Sequence, residues 1–280
     1  MPSAVAKSPT EVIAEIQMTR AAHPTCGILL VEGDRDRRFW EPRVRPQVQT
    51  IITTGRPNLL QSIAIANASP IVGVLGVADR DYDPDHSFSG LHNLAVTDHC
   101  DLEAELLASP ALERVLSELG DSTLIAATVA YHGAPIFDVL QDQASVFGRV
   151  RCFLRSVNSP HPCARFAPHS YTHVDNHTWQ IDRASIIADL AQLHGLSPND
   201  VASAFLAHSP LAPHRLSHGK DMISLLCLGL GGLLGGKRAS KEQVSALLRQ
   251  SLDDVHFSQW TLRQRIESWE QSNGQYRILR

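Results

Sequence analysis

The chain has 280 residues, and its 25 Lys and Arg against 29 Asp and Glu give a formal net charge of −4. Hydrophobic residues make up 43% and charged residues 19%, which is ordinary globular usage and excludes a wholly disordered chain. The acidic balance excludes a strongly basic protein that coats nucleic acid, although it leaves room for a local basic patch.

Targeting and redox signals favour a cytoplasmic protein. The first ten residues lack the apolar core of a secretory signal. The longest apolar run, 222–236, has 15 residues and is interrupted by glycines, whereas a membrane-spanning helix needs about 20. The five cysteines form no close pair in the sequence. We therefore expect reduced thiols, a cytoplasmic location and no membrane association.

The first half of the chain alternates strand and helix patterns. Short apolar or β-branched runs predict strands at 27–31, 48–54, 71–78 and 91–96. Helices are predicted from Asp34 to about Trp40, from Pro57 to about Ala68 and around residues 102–107. The nearly continuous apolar run at 71–78 is typical of a strand covered on both faces of a parallel sheet. This order predicts a doubly wound α/β fold with a mostly parallel sheet.

The second half is predicted to be mainly helical, with a small β insertion. Helix-like stretches run from 110 to about 144, and β-like pieces lie at 149–154 and near Phe166. Further helices are predicted at 185–194, 199–208, 219–230, 241–252 and 257–268. We expect residues 1–120 to form the core of the protein and residues 121–280 to form a helical region with the β insertion, packed on that core.

Acidic residues follow the predicted strands. Glu32 follows the first strand, Asp79 and Asp81 follow the third, Asp83 lies in the next loop, and Glu103 lies in the helix beyond it. The carboxyl ends of strands line the ligand crevice of an open α/β sheet. Asp79 and Asp81 would point the same way in extended backbone, and a cation would relieve their repulsion. Carboxylate oxygens suit Mg²⁺ or Mn²⁺. The alternative is a polar loop whose acids face water.

Two of these acidic segments resemble the Toprim domain. Residues 31–36, VEGDRD, resemble its opening motif of a hydrophobic residue followed by Glu-Gly-x-x-Asp. Residues 78–83, ADRDYD, resemble its Asp-x-Asp motif. Toprim is the metal-dependent catalytic domain of topoisomerases, DnaG-type primases and OLD-type nucleases. The resemblance implies a Toprim-like Rossmannoid catalytic core within residues 1–120.

Other segments resemble an OLD-like family of bacterial Toprim nucleases that includes AriB, the effector nuclease of the PARIS anti-phage defence system. These segments are residues 93–103, 109–113, 147–151 and 218–221. The resemblance implies a Mg²⁺-dependent endonuclease, a phosphodiester hydrolase that cleaves RNA, including tRNA, or DNA as a toxic effector. It also implies an ABC/OLD-type ATPase partner similar to AriA. The aromatic residues Trp260 and Trp269, if exposed, would favour a homo-oligomer.

Roles for single residues follow from this resemblance. Glu32, Asp79 and Asp81 match the catalytic acids, each serving as a metal ligand or as a general acid or base. Asp36 and Glu103 match further acids of the pattern, and the neighbouring Asp83 completes the expected ligand set for two Mg²⁺ or Mn²⁺ ions. Such ions, about 4 Å apart, clamp the attacking and leaving oxygens of a phosphodiester.

The basic residues near these motifs have two interpretations. Arg35 and Arg37 are candidate substrate-binding residues that contact backbone phosphates, or they belong to a solvated helix face. Lys220 either reaches a phosphate or belongs to the exposed start of a helix. The competing functions are a non-catalytic, degenerate Toprim module that senses or binds beside an ATPase, and phosphoryl transfer on a small molecule.

A histidine-rich stretch at 161–177 carries a separate hypothesis. The spacing of His169, His173 and His177 would suit zinc on a helix. Pro162 and Pro168 argue against a helix there, so a loop or hairpin that contacts RNA or a partner is the better interpretation.

Overall fold

A computed structural model of the chain describes residues 7–69, 71–175, 177–207, 211–235 and 238–280. The chain packs as two compact units. The first contains the residues up to Asp98 together with Asp254–Arg280, and the second contains His99–Asp253. These bounds differ from the predicted regions 1–120 and 121–280, because residues 99–120 belong to the second unit and Asp254–Arg280 belongs to the first.

Helices and strands alternate in the first unit, whereas helices dominate the second. The first unit begins with α1 (Pro9–Ala22), β1 (Ile28–Val31), α2 (Asp34–Trp40), β2 (Gln49–Ile52), α3 (Arg56–Ala68), β3 (Val74–Ala78), a 3₁₀ helix (Asp85–Phe88) and β4 (Leu94–Val96). The second unit contains α4 (Leu102–Leu107), α5 (Ala111–Leu119), α6 (Ser122–His132), α7 (Ile136–Ser156), a 3₁₀ helix (Cys163–Phe166), α8 (Pro168–Tyr171), β5 (Thr172–Val174), β6 (Trp179–Ile181), α9 (Arg183–His194), α10 (Pro198–Ala207), α11 (Pro213–Leu216), α12 (Gly219–Leu230) and α13 (Lys241–Ser251). The chain returns to the first unit with α14 (Asp254–Ser258) and α15 (Thr261–Ser272).

The first unit is built on a parallel sheet with the strand order β2-β1-β3-β4. Every residue of β1 and of β3 is buried, as expected for central strands covered on both faces. The predicted α/β class with a parallel sheet is therefore confirmed. The chain moves from β1 to one side for β2 and to the other side for β3, so the order reverses between β1 and β3. That point is where doubly wound sheets open their ligand crevice.

Close helix–sheet packing fixes these strands. Ile16 of α1 and Leu59 and Ile63 of α3 are fully buried in one apolar cluster with β1 and β3. Gly76 of β3 permits this contact, because a Cβ atom there would lie 2.7 Å from the side chain of Ile63. The strand ends are consequently held by a rigid core.

The C-terminal helices complete the core of the first unit. Trp269 of α15 is buried and its indole N–H donates to the side chain of Asn93 at 2.8 Å. The Trp260 ring stacks on Phe39 with a centroid distance of 5.8 Å. The expectation that Trp269 is exposed is therefore wrong, and Trp260 is half-buried. The homo-oligomer stays a prediction.

The second unit is mainly helical, with one two-stranded antiparallel sheet formed by β5 and β6. The β insertion is confirmed, but the β pieces expected at 149–154 and near Phe166 are wrong. Residues 149–154 lie inside α7, and Phe166 ends a 3₁₀ helix. The indole N–H of Trp179, on β6, donates to the carbonyl oxygen of Leu225 and anchors the hairpin on α12.

In the part of the chain that the structure describes, no single helix has the length and apolarity needed to cross a membrane, and α6 and α7 meet those criteria only as a pair bent by 64°.

Candidate metal centre

The candidate centre lies where β1 and β3 end side by side. Leu30 pairs with Gly76 in the parallel register, which brings Glu32 beside the start of the loop that follows β3. Oε1 of Glu32 accepts a hydrogen bond from the main-chain N–H of Asp79 at 3.0 Å. The two acids predicted to share a sheet edge are therefore neighbours, and they stand at the switch point of the sheet.

The Asp-x-Asp loop is oriented by Arg80. The Arg80 N–H donates to the hydroxyl of Thr97 at 3.0 Å, and its Nε donates to the Thr97 carbonyl at 2.7 Å, so this side chain is bound to the end of β4. Asp81 adopts the left-handed backbone conformation with φ 50°, which Asp tolerates better than most residues. The expectation of extended backbone across Asp79 and Asp81 is wrong, because the chain turns at Asp81.

Asp36 lies near Glu32 and also has a local structural role. Its Oδ2 accepts the main-chain N–H of Gly33 at 2.9 Å, which closes the first turn of α2. The Asp36 charge is close enough to disfavour ionisation of Glu32. The opening motif therefore places a second carboxylate at the same sheet edge.

Burial, more than the neighbouring negative charges, determines the protonation of Glu32 at this edge. Burial raises the pKa of Glu32 to about 7, and the charges of Asp36 and Asp81 add to this effect. The hydrogen bond from Asp79 and the positive charge of Arg56 oppose the increase without cancelling it. The Glu32 carboxyl is consequently divided between its neutral and ionised forms near neutral pH.

Arg56, which sequence reasoning missed, supplies positive charge at this edge. Its Nη1 forms an ion pair with Oδ2 of Asp83 at 2.7 Å, and its Nε lies 3.6 Å from Oδ2 of Asp81. Arg56 is the first residue of α3, the helix that follows β2. Its position in the sequence could have identified it, because a residue between a strand and the following helix lies at the carboxyl edge of a parallel sheet.

The donor set fits a hard divalent cation. Glu32, Asp36, Asp79, Asp81 and Asp83 offer carboxylate oxygens, which Mg²⁺ and Mn²⁺ prefer, and a guanidinium cation stands among them. Within the described ranges, no three acid, histidine or cysteine side chains stand close enough together to enclose a metal ion. Binding of a metal ion by these residues would therefore require some of their side chains to move closer together.

The candidate phosphate-binding arginines of α2 lie on its surface. Arg37 donates to Asp34 at 2.7 Å, with its side chain 42% exposed, and Arg38 pairs with the same carboxylate. Arg35 is exposed. Ion pairs on an exposed surface are weak, so Arg37 can exchange Asp34 for a phosphate at little cost.

Glu103 and Lys220 belong to the second unit. Glu103 is buried on α4, and a Cβ atom at Gly219 would lie 2.5 Å from its Cβ, so Glu103 packs against the start of α12. Lys220 is exposed on the first turn of α12. The structure thus gathers the other five predicted metal ligands in the first unit, and the roles of Glu103 and Lys220 stay predictions.

A buried ion pair between Asp101 and His218 joins the starts of α4 and α12. The sequence did not predict this pair. Asp101 is fully buried and caps α4 by accepting the N–H of Ala104 at 2.8 Å. Its carboxylate also accepts the Gly219 N–H at 3.0 Å and lies 2.5 Å from Nδ1 of His218. The resembling segments 93–103 and 218–221 therefore meet at one contact. A neighbouring ion pair between Arg151 and Asp221 brings in segment 147–151.

The histidine-rich stretch does not form a continuous helix. His169 lies in the four-residue helix α8, His173 lies on β5, and His177 lies in the hairpin turn. The prediction that the three histidines do not share one helix is confirmed, although Pro168 itself begins the short helix α8. The His177 ring stacks on Tyr131 with a centroid distance of 5.2 Å. Contact of this stretch with RNA or a partner stays a prediction.

No protein-family model matches the chain, and neither does any of the curated proteins compared with it.

Proposed function

We propose that the chain is a Toprim-like, OLD-like nuclease, a metal-dependent phosphodiester hydrolase that cleaves RNA or DNA as a toxic effector in anti-phage defence. One observation carries most of this proposal. Glu32 and Asp79, from two motifs that resemble Toprim, are joined by a hydrogen bond at the switch point of a parallel sheet. The fold class and the acidic edge support the proposal, and the motif resemblance supplies the reaction.

The residues of the edge have distinct proposed tasks. Glu32 is the proposed general acid or base, because its carboxyl lies at this edge and accepts the Asp79 N–H. Asp36, Asp79, Asp81 and Asp83 would hold Mg²⁺ or Mn²⁺, with Asp81 or Asp83 turning from Arg56. Two such ions would supply Lewis-acid polarisation of the phosphodiester and neutralise its developing charge.

Substrate contacts are proposed for exposed basic residues. Arg35 and Arg37 lie on α2, shortly after Glu32, and would bind backbone phosphates, which position a nucleic acid without reading its sequence. Lys220 is the third proposed phosphate contact. The proposed partners are the nucleic-acid substrate, an ABC/OLD-type ATPase and further copies of the chain, in the cytoplasm.

A cleavage assay tests this function. Purified protein is incubated with total RNA, plasmid DNA and single-stranded DNA in Mg²⁺, Mn²⁺ or EDTA. A parallel series adds an ABC-type ATPase, where one is encoded beside the gene, under triggering conditions. We expect cleavage of at least one substrate with either metal and none with EDTA. Cleavage that persists in EDTA would contradict the metal mechanism.

A second candidate function is a binding or sensor module that has lost catalysis. The observation that favours it is Arg56, which neutralises part of the edge without a metal. This candidate predicts binding of nucleic acid or ATPase in EDTA and no cleavage under any triggered condition. The same assay, read together with a gel-shift measurement, distinguishes the two functions.

A further inference from the structure

Arg56 is fixed in the acidic edge by main-chain as well as side-chain contacts. Its Nε donates to the carbonyl oxygen of Asp79 at 2.9 Å, and its Nη2 donates to that of Arg80 at 3.3 Å. Its guanidinium also lies 5.5 Å from the centre of the Phe88 ring. These contacts hold a positive charge against the Asp-x-Asp loop.

The ion pair with Asp83 is shielded from water. The side chains of Arg56 and Asp83 are only 15% and 11% exposed, so this interaction is screened less than a surface pair. An arginine keeps its charge at every accessible pH, and its planar fork suits carboxylates. The guanidinium therefore does at this edge what a bound cation does, since it offsets the repulsion between acids.

We infer that Arg56 is the internal counter-cation of the acidic edge and limits its affinity for divalent metal. This inference rests on the proposed metal-dependent function. Arg56 competes with the metal in two ways: it occupies Asp83 and Asp81, and its charge repels a second cation. A unit charge a few ångströms from a divalent ion changes its affinity about tenfold even at the dielectric constant of water.

A purely structural role for Arg56 predicts the opposite sign. If Arg56 only held the loop in shape, its removal would misplace the carboxylates and weaken metal binding. If Arg56 competes with the metal, its removal lowers the stability of the metal-free protein but strengthens metal binding. The sign of the affinity change therefore decides between the two roles.

The Mn²⁺ affinity is measured by calorimetric titration of the full-length wild type, Arg56→Gln and Arg56→Lys. Asp79→Asn is titrated in parallel to show which part of the binding occurs at the acidic edge. We expect Arg56→Gln to bind Mn²⁺ about tenfold more tightly or better, and Arg56→Lys to stay near the wild type. Thermal unfolding should show that Arg56→Gln is less stable than the wild type in EDTA, with a smaller difference in Mn²⁺.

Arg20 provides a matched control at the opposite end of the sheet. Its guanidinium donates to the carbonyl oxygens of Cys26 and Val72 and lies over the Tyr276 ring, so it combines charge with main-chain bonds as Arg56 does. Arg20→Gln should lose stability and leave the Mn²⁺ affinity unchanged, because those contacts are with main-chain carbonyls and an aromatic ring.

A spectroscopic readout keeps the inference testable should Arg56→Gln not fold. The Nε–H resonance of Arg56 in the wild type, assigned with Arg56→Lys, should shift as Mg²⁺ is added, whereas the Arg20 side-chain signals should not. The inference is overturned, but the proposed function is not, if a folded Arg56→Gln binds Mn²⁺ as tightly as the wild type or more weakly. The same conclusion follows if the Arg56 resonance does not change at saturating Mg²⁺. If neither the wild type nor any Arg56 variant binds metal in a way that Asp79→Asn abolishes, both the inference and the proposed function are wrong.

Discussion

The carboxylate of Glu32 and the main-chain N–H of Asp79 are joined by a 3.0 Å hydrogen bond across the ends of β1 and β3. The bond fixes the Glu32 side chain against the start of the Asp-x-Asp loop. Because the switch point lies between these two strands, the acidic edge faces the crevice where open α/β sheets bind ligands. The charges of Asp36, Asp81 and Arg56 all act on the Glu32 carboxyl.

The first prediction concerns the two linked acids. Glu32→Gln and Asp79→Asn should each reduce metal-dependent cleavage and the resulting cellular toxicity by roughly a thousandfold or more, because losing a charge-stabilising cation costs several kcal/mol in the transition state. Cleavage rates with Mg²⁺ and Mn²⁺ measure the effect. Full activity in both variants would contradict the proposed roles.

Stability separates this chemical effect from misfolding. Gln at position 32 can still accept the Asp79 N–H and no longer buries a charge, so Glu32→Gln should unfold at the same or a higher urea concentration than the wild type in EDTA. Glu118→Gln, on the exposed face of α5, is the matched control and should change neither cleavage nor stability.

The second prediction concerns the C-terminal helices of the first unit. The fully buried Phe257 ring packs edge-on against Phe39 and Trp40, so Phe257→Ala should lower the free energy of unfolding by about 3–5 kcal/mol. Val255→Ala in the same helix should change it by less than about 0.5 kcal/mol, because that side chain is 67% exposed. Urea unfolding curves compare the two, and equal losses would contradict this account of the core.

Local sequence patterns were sufficient to predict the strands of the parallel sheet and the acidic residues at their ends. Each strand is a short apolar or β-branched run, and Glu32 and Asp79 follow such runs directly, so parallel packing had to place them at one edge. The same reasoning wrongly predicted β structure at residues 149–154, whose apolar residues are also compatible with a strand. Their spacing with Val146 and Phe147 is that of a helix, and α7 buries Val150 and Phe153 accordingly.

Long-range contacts could not be predicted in this way. Arg56 belongs to no motif, and only the fold brings it to Asp83. The return of α15 to the first unit depends on Trp269 meeting Asn93, which lies far away in the sequence. A helix was predicted around residues 102–107, but the buried pairing of Asp101, just before it, with His218 depends on the packing of α12 on α4.

The third prediction concerns the close approach of α4 and α12. A Cβ atom at Gly219 would lie 2.4 Å from both the main-chain nitrogen of Ala104 and Oδ1 of Asp101, where no side chain fits. Gly219→Ala should therefore destabilise the protein by about 1–3 kcal/mol in urea unfolding. Gly232→Ala is the matched control, because a Cβ atom there meets nothing within 4 Å. A Gly219→Ala variant as stable as the control would show that the helices can separate freely.

The last prediction is a pH dependence of stability from the buried pair of Asp101 and His218. Burial disfavours both charges. Attraction to His218 and hydrogen bonds outweigh this effect and lower the pKa of Asp101 to about 2, and Asp101 in turn raises the pKa of His218. The contribution of Asp101 to stability is present above the ordinary carboxyl pKa and is lost as the pH falls through about 2. The contribution of His218 is fully present below the ordinary imidazole pKa and is lost as the pH rises through its raised value.

His218→Gln should therefore cost most between about pH 4 and pH 6.5, where both charges are present in folded and unfolded chains alike. We expect a loss of about 3 kcal/mol there, because removing one partner leaves Asp101 as an uncompensated buried charge. The difference from the wild type should shrink as the pH rises above the His218 pKa, since the wild type then loses the same ion pair. Urea unfolding from pH 5 to pH 9 measures this trend, with His92→Gln as the control at an exposed histidine. A difference that stays constant over this range, or grows with pH, would show that the pair is not ionic in the folded protein.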